Sequence, residues 1–241
     1  QDGVIWQGIW ESGTNKIFAT DAYSWTMAGP GGDRMSLFEL EKFTETMLSK
    51  SLTQVTLELP DGKTRTVTLV DFTDPKDPQT IKEREGFHPM GSVEWAGGVI
   101  AALQKNAVRF WEKGNPRQKE TARHYKAVAE YLIDNSLYAF YEIPGLEGML
   151  SFYATGQNVE TGHGWRTPFF YVKGPGVTIK GGSLVSAWPV LPIQGLNPFE
   201  LGDTYKKFYD TIPLSVEDKE RAIRFVALSV VNRSFKETVP T

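Results

Sequence analysis

The chain of 241 residues contains no cysteine, and its only histidines are His88, His124 and His163. The missing cysteines exclude disulfide frameworks, zinc–thiolate sites and cysteine nucleophiles. Three histidines so far apart in sequence argue against a histidine-rich metal site. The sequence also lacks a P-loop, a dinucleotide-binding glycine motif and a nucleophile elbow. We therefore expect neither a metal nor another cofactor.

A basic face and a long apolar run are also missing. The 26 Lys and Arg residues are interspersed with 29 Asp and Glu, which gives a formal net charge of −3. Because affinity for nucleic acid depends on neutralising phosphates, we expect no nucleic-acid partner. No window approaches the roughly 20 apolar residues that a membrane span requires. The sequence predicts a soluble protein without a membrane span, large enough to bury a core without cross-links.

The first residue is Gln1 rather than Met. A processed mature form or an excised piece is therefore expected, and a signal peptide would already be gone. Absence of cysteine is common among secreted bacterial proteins, and it leaves the compartment open. These observations lead us to expect a secreted or periplasmic bacterial protein.

Hydrophobic periodicity predicts a mainly α chain forming a single domain over residues 1–241. A capping box at Ser36 starts a helix that ends near residue 50. Two long helices begin near Ser92 and at Asn115, and the short link between them predicts an antiparallel αα-hairpin. A β-hairpin insertion is expected at about residues 53–71, around a tight turn. Residues 1–35, which are rich in aromatics, have no regular period, and Ser215 caps a final helix.

Residues 142–182 form a second stretch without a regular period, and it is rich in glycine and aromatics. Loops this long are uncommon in compact domains unless they bind ligands or act as lids, so we expect a functional loop. Its glycines allow close backbone approach, and its side chains offer stacking faces, a titratable ring and a guanidinium fork. The alternative is a self-packed loop in which Arg166 pairs with Glu160 and Trp165 fills a hole. The predicted ligand contacts are Tyr153, Glu160, His163, Trp165 and Arg166.

Acidic residues beside tryptophans provide candidate catalytic groups. Burial beside an aromatic ring raises a carboxyl pKa toward the range used in acid–base catalysis, and sugar rings stack on aromatic faces. The alternatives are an acid that complements a helix dipole at Glu94, a helix cap at Asp21, and solvated loop acids elsewhere. The candidate catalytic residues are Glu94, Asp21, Asp71 and Asp74, with Trp25 and Trp95 as substrate contacts.

Three stretches carry a family resemblance: IFATDAYSW over residues 17–25, GSVEWA over 91–96, and SAWPVL over 186–191 followed by NPF at 197–199. Together they resemble the (α/α) toroid proteins of the six-hairpin glycosidase-like superfamily. The resemblance implies helical hairpins arranged in a full or partial toroid, and acids at the starts of inner helices that act on a glycosidic bond. The chain has fewer predicted helices than a complete barrel, which suggests a partial or open toroid.

The leading hypothesis is a glycoside hydrolase that uses a carboxylate pair in an aromatic-lined cleft, with a carbohydrate as ligand. A second hypothesis is a non-catalytic glycan- or protein-binding subunit of a larger assembly, whose partner chain completes the fold. A third is a polysaccharide lyase acting on uronate, with His163 or a tyrosine as base and Arg166 at the substrate carboxylate.

Overall fold

A computed structural model describes residues 8–10, 13–15, 18–58, 63–84, 89–142, 149–151, 160–161, 166–167, 171–174, 177–180, 189–199 and 204–231. The described part is mainly helical, as predicted. Its helices are α1 (Thr20–Ala28), α2 (Pro30–Asp33), α3 (Leu37–Ser51), α4 (Pro78–Glu83), α5 (Val93–Lys113), α6 (Pro116–Leu137), α7 (Val190–Ile193), α8 (Thr204–Thr211) and α9 (Val216–Val231). Its strands are β1 (Gly8–Trp10), β2 (Gly13–Asn15), β3 (Leu52–Glu58), β4 (Thr64–Val70), β5 (Phe140–Glu142), β6 (Met149–Ser151), β7 (Tyr171–Gly174) and β8 (Val177–Lys180).

The main helices start where the sequence predicts, because their caps are local. Ser36 and Glu39 form a reciprocal capping box at the start of α3. Ser92 caps α5, and Asn115 caps α6 in a second box with Gln118. Capping satisfies backbone N–H groups that have no partner within the helix. Helices α5 and α6, joined by a two-residue link, pack along each other and confirm the predicted hairpin.

Helix α1 was not predicted, so the expectation that residues 1–35 are irregular is wrong there, as it is for β1, β2 and α2. Its N-cap is Ala19, which offers no side-chain cap. The Thr20 hydroxyl instead donates to the Asp71 carbonyl at 2.6 Å. Tyr23, Met27 and Ala28 are buried in the core. Tertiary packing rather than a local signal therefore stabilises this helix.

The predicted β-hairpin is the antiparallel pair of β3 and β4, with Val55 opposite Val67. Val55 and Val67 are buried in a small apolar cluster shared with Val93 of α5. The Thr68 backbone N–H donates to the Asn135 side chain of α6 at 2.9 Å. The hairpin is thus joined to the α5–α6 pair by both apolar packing and hydrogen bonding.

Helix α5 occupies the centre of the core. Residues such as Ile100 and Leu103 are inaccessible to solvent, and the helix contacts α1, α3, α6, α7 and α8.

The segment predicted as an aperiodic loop, residues 142–182, contains parts of four short strands and a bridge between Glu160 and Arg166. The expectation of a loop without regular structure is therefore wrong in those places.

Of the helices that the structure describes, none has both the length and the apolar character needed to cross a membrane.

His124 on α6 is a half-buried residue rather than a solvated one. Its ring meets the Phe225 ring of α9 edge to face, with centroids 4.8 Å apart. Burial lowers the pKa of His124, Arg221 lowers it further, and Asp218 acts in the opposite sense. The neutral imidazole is therefore the form that suits the α6–α9 contact.

This geometry predicts a pH-dependent loss of stability. Because the pKa of His124 is lower in the folded chain than in the unfolded chain, its contribution is complete above the unfolded value of 6.5 and is lost as the pH falls toward the folded value. We expect His124→Phe to reduce the fall in unfolding free energy between pH 7.5 and pH 5.5, measured by urea denaturation. An equal fall in both proteins would contradict this assignment.

Candidate functional site

The chain that leaves strand β4, residues 70–72, holds the starts of two helices. We call this segment the strand exit. The Ser92 N–H, before α5, donates to the Val70 carbonyl at 2.9 Å, and the Thr20 N–H, at the start of α1, donates to the Phe72 carbonyl at 2.7 Å. Val70 and Phe72 are two residues apart, which corresponds to about 7 Å along an extended chain. The N-termini of α1 and α5 are therefore held side by side at the end of β4.

The two helices then run in the same direction. A Cβ added at Gly98 of α5 would lie 2.9 Å from Ser24 Oγ and 3.4 Å from Trp25 Nε1 of α1. Further along, the Lys105 ammonium donates to the Ala28 carbonyl at 3.3 Å. Contacts therefore advance along both helices together from their N-termini. The glycine at position 98 allows the close approach of α1.

Asp21 and Glu94 both lie in the first turns of these parallel helices. Each precedes a residue of the α1–α5 contact by four positions: Asp21 precedes Trp25, and Glu94 precedes Gly98. Residues four apart share one face of a helix, so both acids belong to the faces that meet. Both are half-buried, and the Oε2 atom of Glu94 is shielded from solvent. We call the line along which the two packed helices meet, from these acids to Trp25, the α1–α5 groove.

Burial raises the pKa of Asp21, and it outweighs the opposing effect of the hydrogen bond that the carboxylate accepts from the Ala22 N–H at 2.7 Å. A raised pKa keeps more of the carboxyl group protonated. Two carboxyl groups at adjacent helix starts, one of them with a raised pKa, are groups that can serve acid–base catalysis.

Trp25 supplies an aromatic surface one turn beyond Asp21. Trp25 is 43% exposed, which is unusual for a side chain as large as tryptophan. Its ring packs against the Phe199 ring, with centroids 6.0 Å apart and planes inclined at 50°. Phe199 was not predicted as a site residue, although it lies in the NPF stretch, because nothing in the sequence indicates that this stretch reaches α1.

Asp71 is held in a buried ion pair. Its carboxylate accepts two hydrogen bonds from the Arg84 guanidinium, at 2.8 and 2.9 Å, and one from the Met90 N–H at 2.9 Å. Both side chains of the pair are at most 1% exposed. A carboxylate so fully engaged has no room for a substrate, so Asp71 fixes the strand exit rather than entering the groove.

Asp74 and Trp95 are engaged in other contacts. Asp74, whose side chain is 19% exposed, forms an ion pair with Lys50 at 3.6 Å and accepts a hydrogen bond from the Lys76 N–H at 3.0 Å. Trp95 is 5% exposed and packs against Phe72 at a centroid distance of 4.9 Å. A tryptophan in the core offers no face to a sugar, so the structure gives Trp95 a packing role.

The predicted ligand contacts of the glycine-rich segment fall into two groups. Glu160 and Arg166 form an ion pair at 2.8 Å, which is the alternative arrangement that the sequence left open. Tyr153, His163 and Trp165 lie outside the described residues. The neighbouring Thr161 carbonyl accepts a hydrogen bond from Arg84 at 3.1 Å, which links this segment to the Asp71 ion pair.

Within the described residues, no group of three or more histidine or acidic side chains could hold a metal ion. No protein-family model, no curated protein sequence and no solved structure matches this chain at a significant level.

Proposed function

We propose that the protein is a glycoside hydrolase whose catalytic carboxyl groups are Asp21 and Glu94. The single observation that carries this proposal is the pair of parallel helix starts, which bring two half-buried acids to the faces where α1 and α5 meet. Packed helices have axes about 8–10 Å apart, and glycosidases need carboxyl separations of about 5–9.5 Å. Two acids on facing sides of such a pair are suited to one glycosidic bond.

The environments of the two acids suggest distinct roles. Asp21, whose pKa is raised by burial, donates a proton to the oxygen of the leaving sugar. Glu94 acts from the other side of the bond, either activating water or attacking the sugar. Trp25 and Phe199 stack against a sugar ring next to the cleaved bond.

A (α/α) toroid, complete or partial, is the architecture we propose for this site. Acids at the starts of neighbouring helices that run in one direction agree with the inner-helix arrangement that the resemblance implies. The lyase alternative receives less support, because the Arg166 guanidinium that it assigns to a substrate carboxylate is paired with Glu160.

The direct test is a hydrolysis screen of the full chain against neutral and acidic oligosaccharides, read as the release of new reducing ends. Hydrolysis by the wild-type chain and its loss in Glu94→Gln would support the proposal. Binding without any turnover would instead favour the non-catalytic subunit, and unsaturated products would favour the lyase.

Trp25→Ala is expected to weaken oligosaccharide binding while leaving the fold intact, because almost half of the residue is exposed. Losing an aromatic anchor typically costs about 1–2 kcal/mol of binding free energy, which corresponds to a roughly fivefold to thirtyfold increase in Kd. Isothermal calorimetry measures this change. Trp111→Ala is the matched control, because Trp111 lies near the C-terminal end of α5, far from Gly98 along that helix. It should leave Kd unchanged. Equal effects of both substitutions would remove Trp25 from the site.

A further inference from the structure

We infer that the outward side of α9 is an interface between two copies of this chain, which meet with their α9 helices antiparallel. This inference is independent of the proposed function, because α9 contributes no residue to the candidate site. Its evidence is an exposed apolar stripe on α9 and the order of the charged residues beside it.

One side of α9 packs into the core, and a second apolar stripe on the same helix is exposed. Ala222 and Val226 are at most 1% exposed, on the side where α9 contacts α6. Val216 is 74% exposed, Ile223 is 47% exposed, and Ala227 is exposed as well. At 100° per residue, these last three residues lie within about 40° of one another around the helix. They therefore form a continuous line, which we call the α9 stripe.

The charged residues beside the α9 stripe are ordered along the helix. Glu217 pairs with Arg221 at 3.1 Å. Glu220 pairs with Arg224 at 3.6 Å, again four residues further on. All four side chains are more than half exposed. In each pair the acid precedes the base, and every one of these charges is accessible to a second chain.

Two-fold symmetry turns this order into complementary contacts. A two-fold axis level with residues 221–222, the middle of the α9 stripe, places Val216 of one copy level with Ala227 of the other. Glu217 then lies within about 3 Å, measured along the helix axis, of Arg224 in the other copy. Parallel copies would instead place each charge beside its like, which is unfavourable. The α9 stripe is therefore complementary to itself in the antiparallel arrangement.

The α9 stripe spans 11 residues, or about 16 Å of helix. Stable interfaces usually bury more than about 1,000 Å² in total, so a contact of this length predicts a weak, reversible dimer. The test is sedimentation velocity of the full chain at concentrations from about 10 μM to about 1 mM, the range of weak dissociation constants. We expect the average mass to rise from that of the monomer toward twice that value. A purely monomeric chain at the highest concentration would overturn the inference.

Ile223→Glu should raise the Kd of the dimer at least about tenfold, because the new carboxylate would have to leave water when the copies meet. Phe38→Glu is the matched control, since Phe38 is a 74% exposed apolar residue on α3 rather than α9. The control should associate like the wild type. An equal loss of association in both variants, or an unchanged Kd in Ile223→Glu, would contradict an interface at the α9 stripe.

Disulfide trapping tests the orientation of the two copies, and the absence of cysteine from the chain leaves no background reaction. A disulfide needs Cα atoms within about 7 Å. A mixture of Val216→Cys and Ala227→Cys should therefore form a covalent dimer on mild oxidation. Neither variant should do so alone, because its two cysteines would lie about 16 Å apart along the helix axis. No dimer in the mixture, or equally fast dimer formation by Val216→Cys alone, would overturn the antiparallel interface.

Discussion

Glu94→Gln and Asp21→Asn should each lower kcat by about 10²–10⁴-fold, because each removes one partner of the proposed acid–base pair. Both substitutions keep the side-chain shape, and Asn at position 21 can still accept the hydrogen bond from the Ala22 N–H. We therefore expect folded proteins with nearly unchanged binding. Initial rates on a hydrolysed oligosaccharide, with circular dichroism as the check on folding, measure the effect.

Asp74→Asn is the matched control for these variants, since the Asp74 carboxylate is engaged by Lys50 and by the Lys76 N–H. Its kcat should equal that of the wild type. If Asp74→Asn lowered kcat as much as Asp21→Asn, or if Asp21→Asn and Glu94→Gln turned over at the wild-type rate, the assignment of the pair would be wrong.

Asp21→Asn carries a second readout that a purely structural aspartate would not give. Because burial raises the pKa of Asp21 in the folded chain, its contribution to stability is complete below the unfolded pKa and is lost as the pH rises through the folded pKa. Near neutral pH the substitution should therefore increase the unfolding free energy while it lowers turnover. Such opposite changes are typical of functional groups held in unfavourable surroundings.

Arg84→Met should destabilise the fold by about 3–5 kcal/mol, because it leaves the Asp71 carboxylate buried without its charged partner. The pair is at most 1% exposed, and Arg84 also bonds the Thr161 carbonyl. Asp71 lies between Val70 and Phe72, whose carbonyls hold the starts of α5 and α1. Loss of the pair should therefore disturb the strand exit as well as the global stability. Urea denaturation measures the change.

The double variant Asp71→Leu/Arg84→Met separates an unpaired charge from lost packing. Removing both charges should restore much of the stability that Arg84→Met loses, since the buried charge is then absent. Lys50→Met, which breaks the partly exposed pair with Asp74, should change the unfolding free energy by no more than about 1 kcal/mol. A loss from Arg84→Met as small as that from Lys50→Met would contradict the structural role of the buried pair.

The elements that could be predicted from the sequence carry their signals locally. Ser36 with Glu39 and Asn115 with Gln118 form capping boxes within one turn, and the β-hairpin has its own turn residues. Helix α1 has no such signal, because Ala19 provides no cap and Thr20 bonds the distant Asp71 carbonyl. Its helical state depends on long-range contacts that a sequence window does not contain.

The residues of the candidate site could be nominated from local sequence, but their placement could not be predicted from it. Asp21, Glu94 and Trp25 were predicted from acids beside aromatics, but their alignment depends on the strand exit at Val70 and Phe72. Trp95 was misplaced because adjacent helical residues point about 100° apart, so a neighbour of Glu94 can face the core. Asp71 shows the same limit, since its buried partner Arg84 is 13 residues away in the sequence.

A crystal structure of the Glu94→Gln variant with a bound oligosaccharide would test the shared groove most directly. We expect one glycosidic oxygen to lie between the side chains at positions 21 and 94, separated by about 5–9.5 Å, with a sugar ring against Trp25. An oligosaccharide bound elsewhere, or side chains at positions 21 and 94 too far apart to reach one glycosidic bond, would contradict the account.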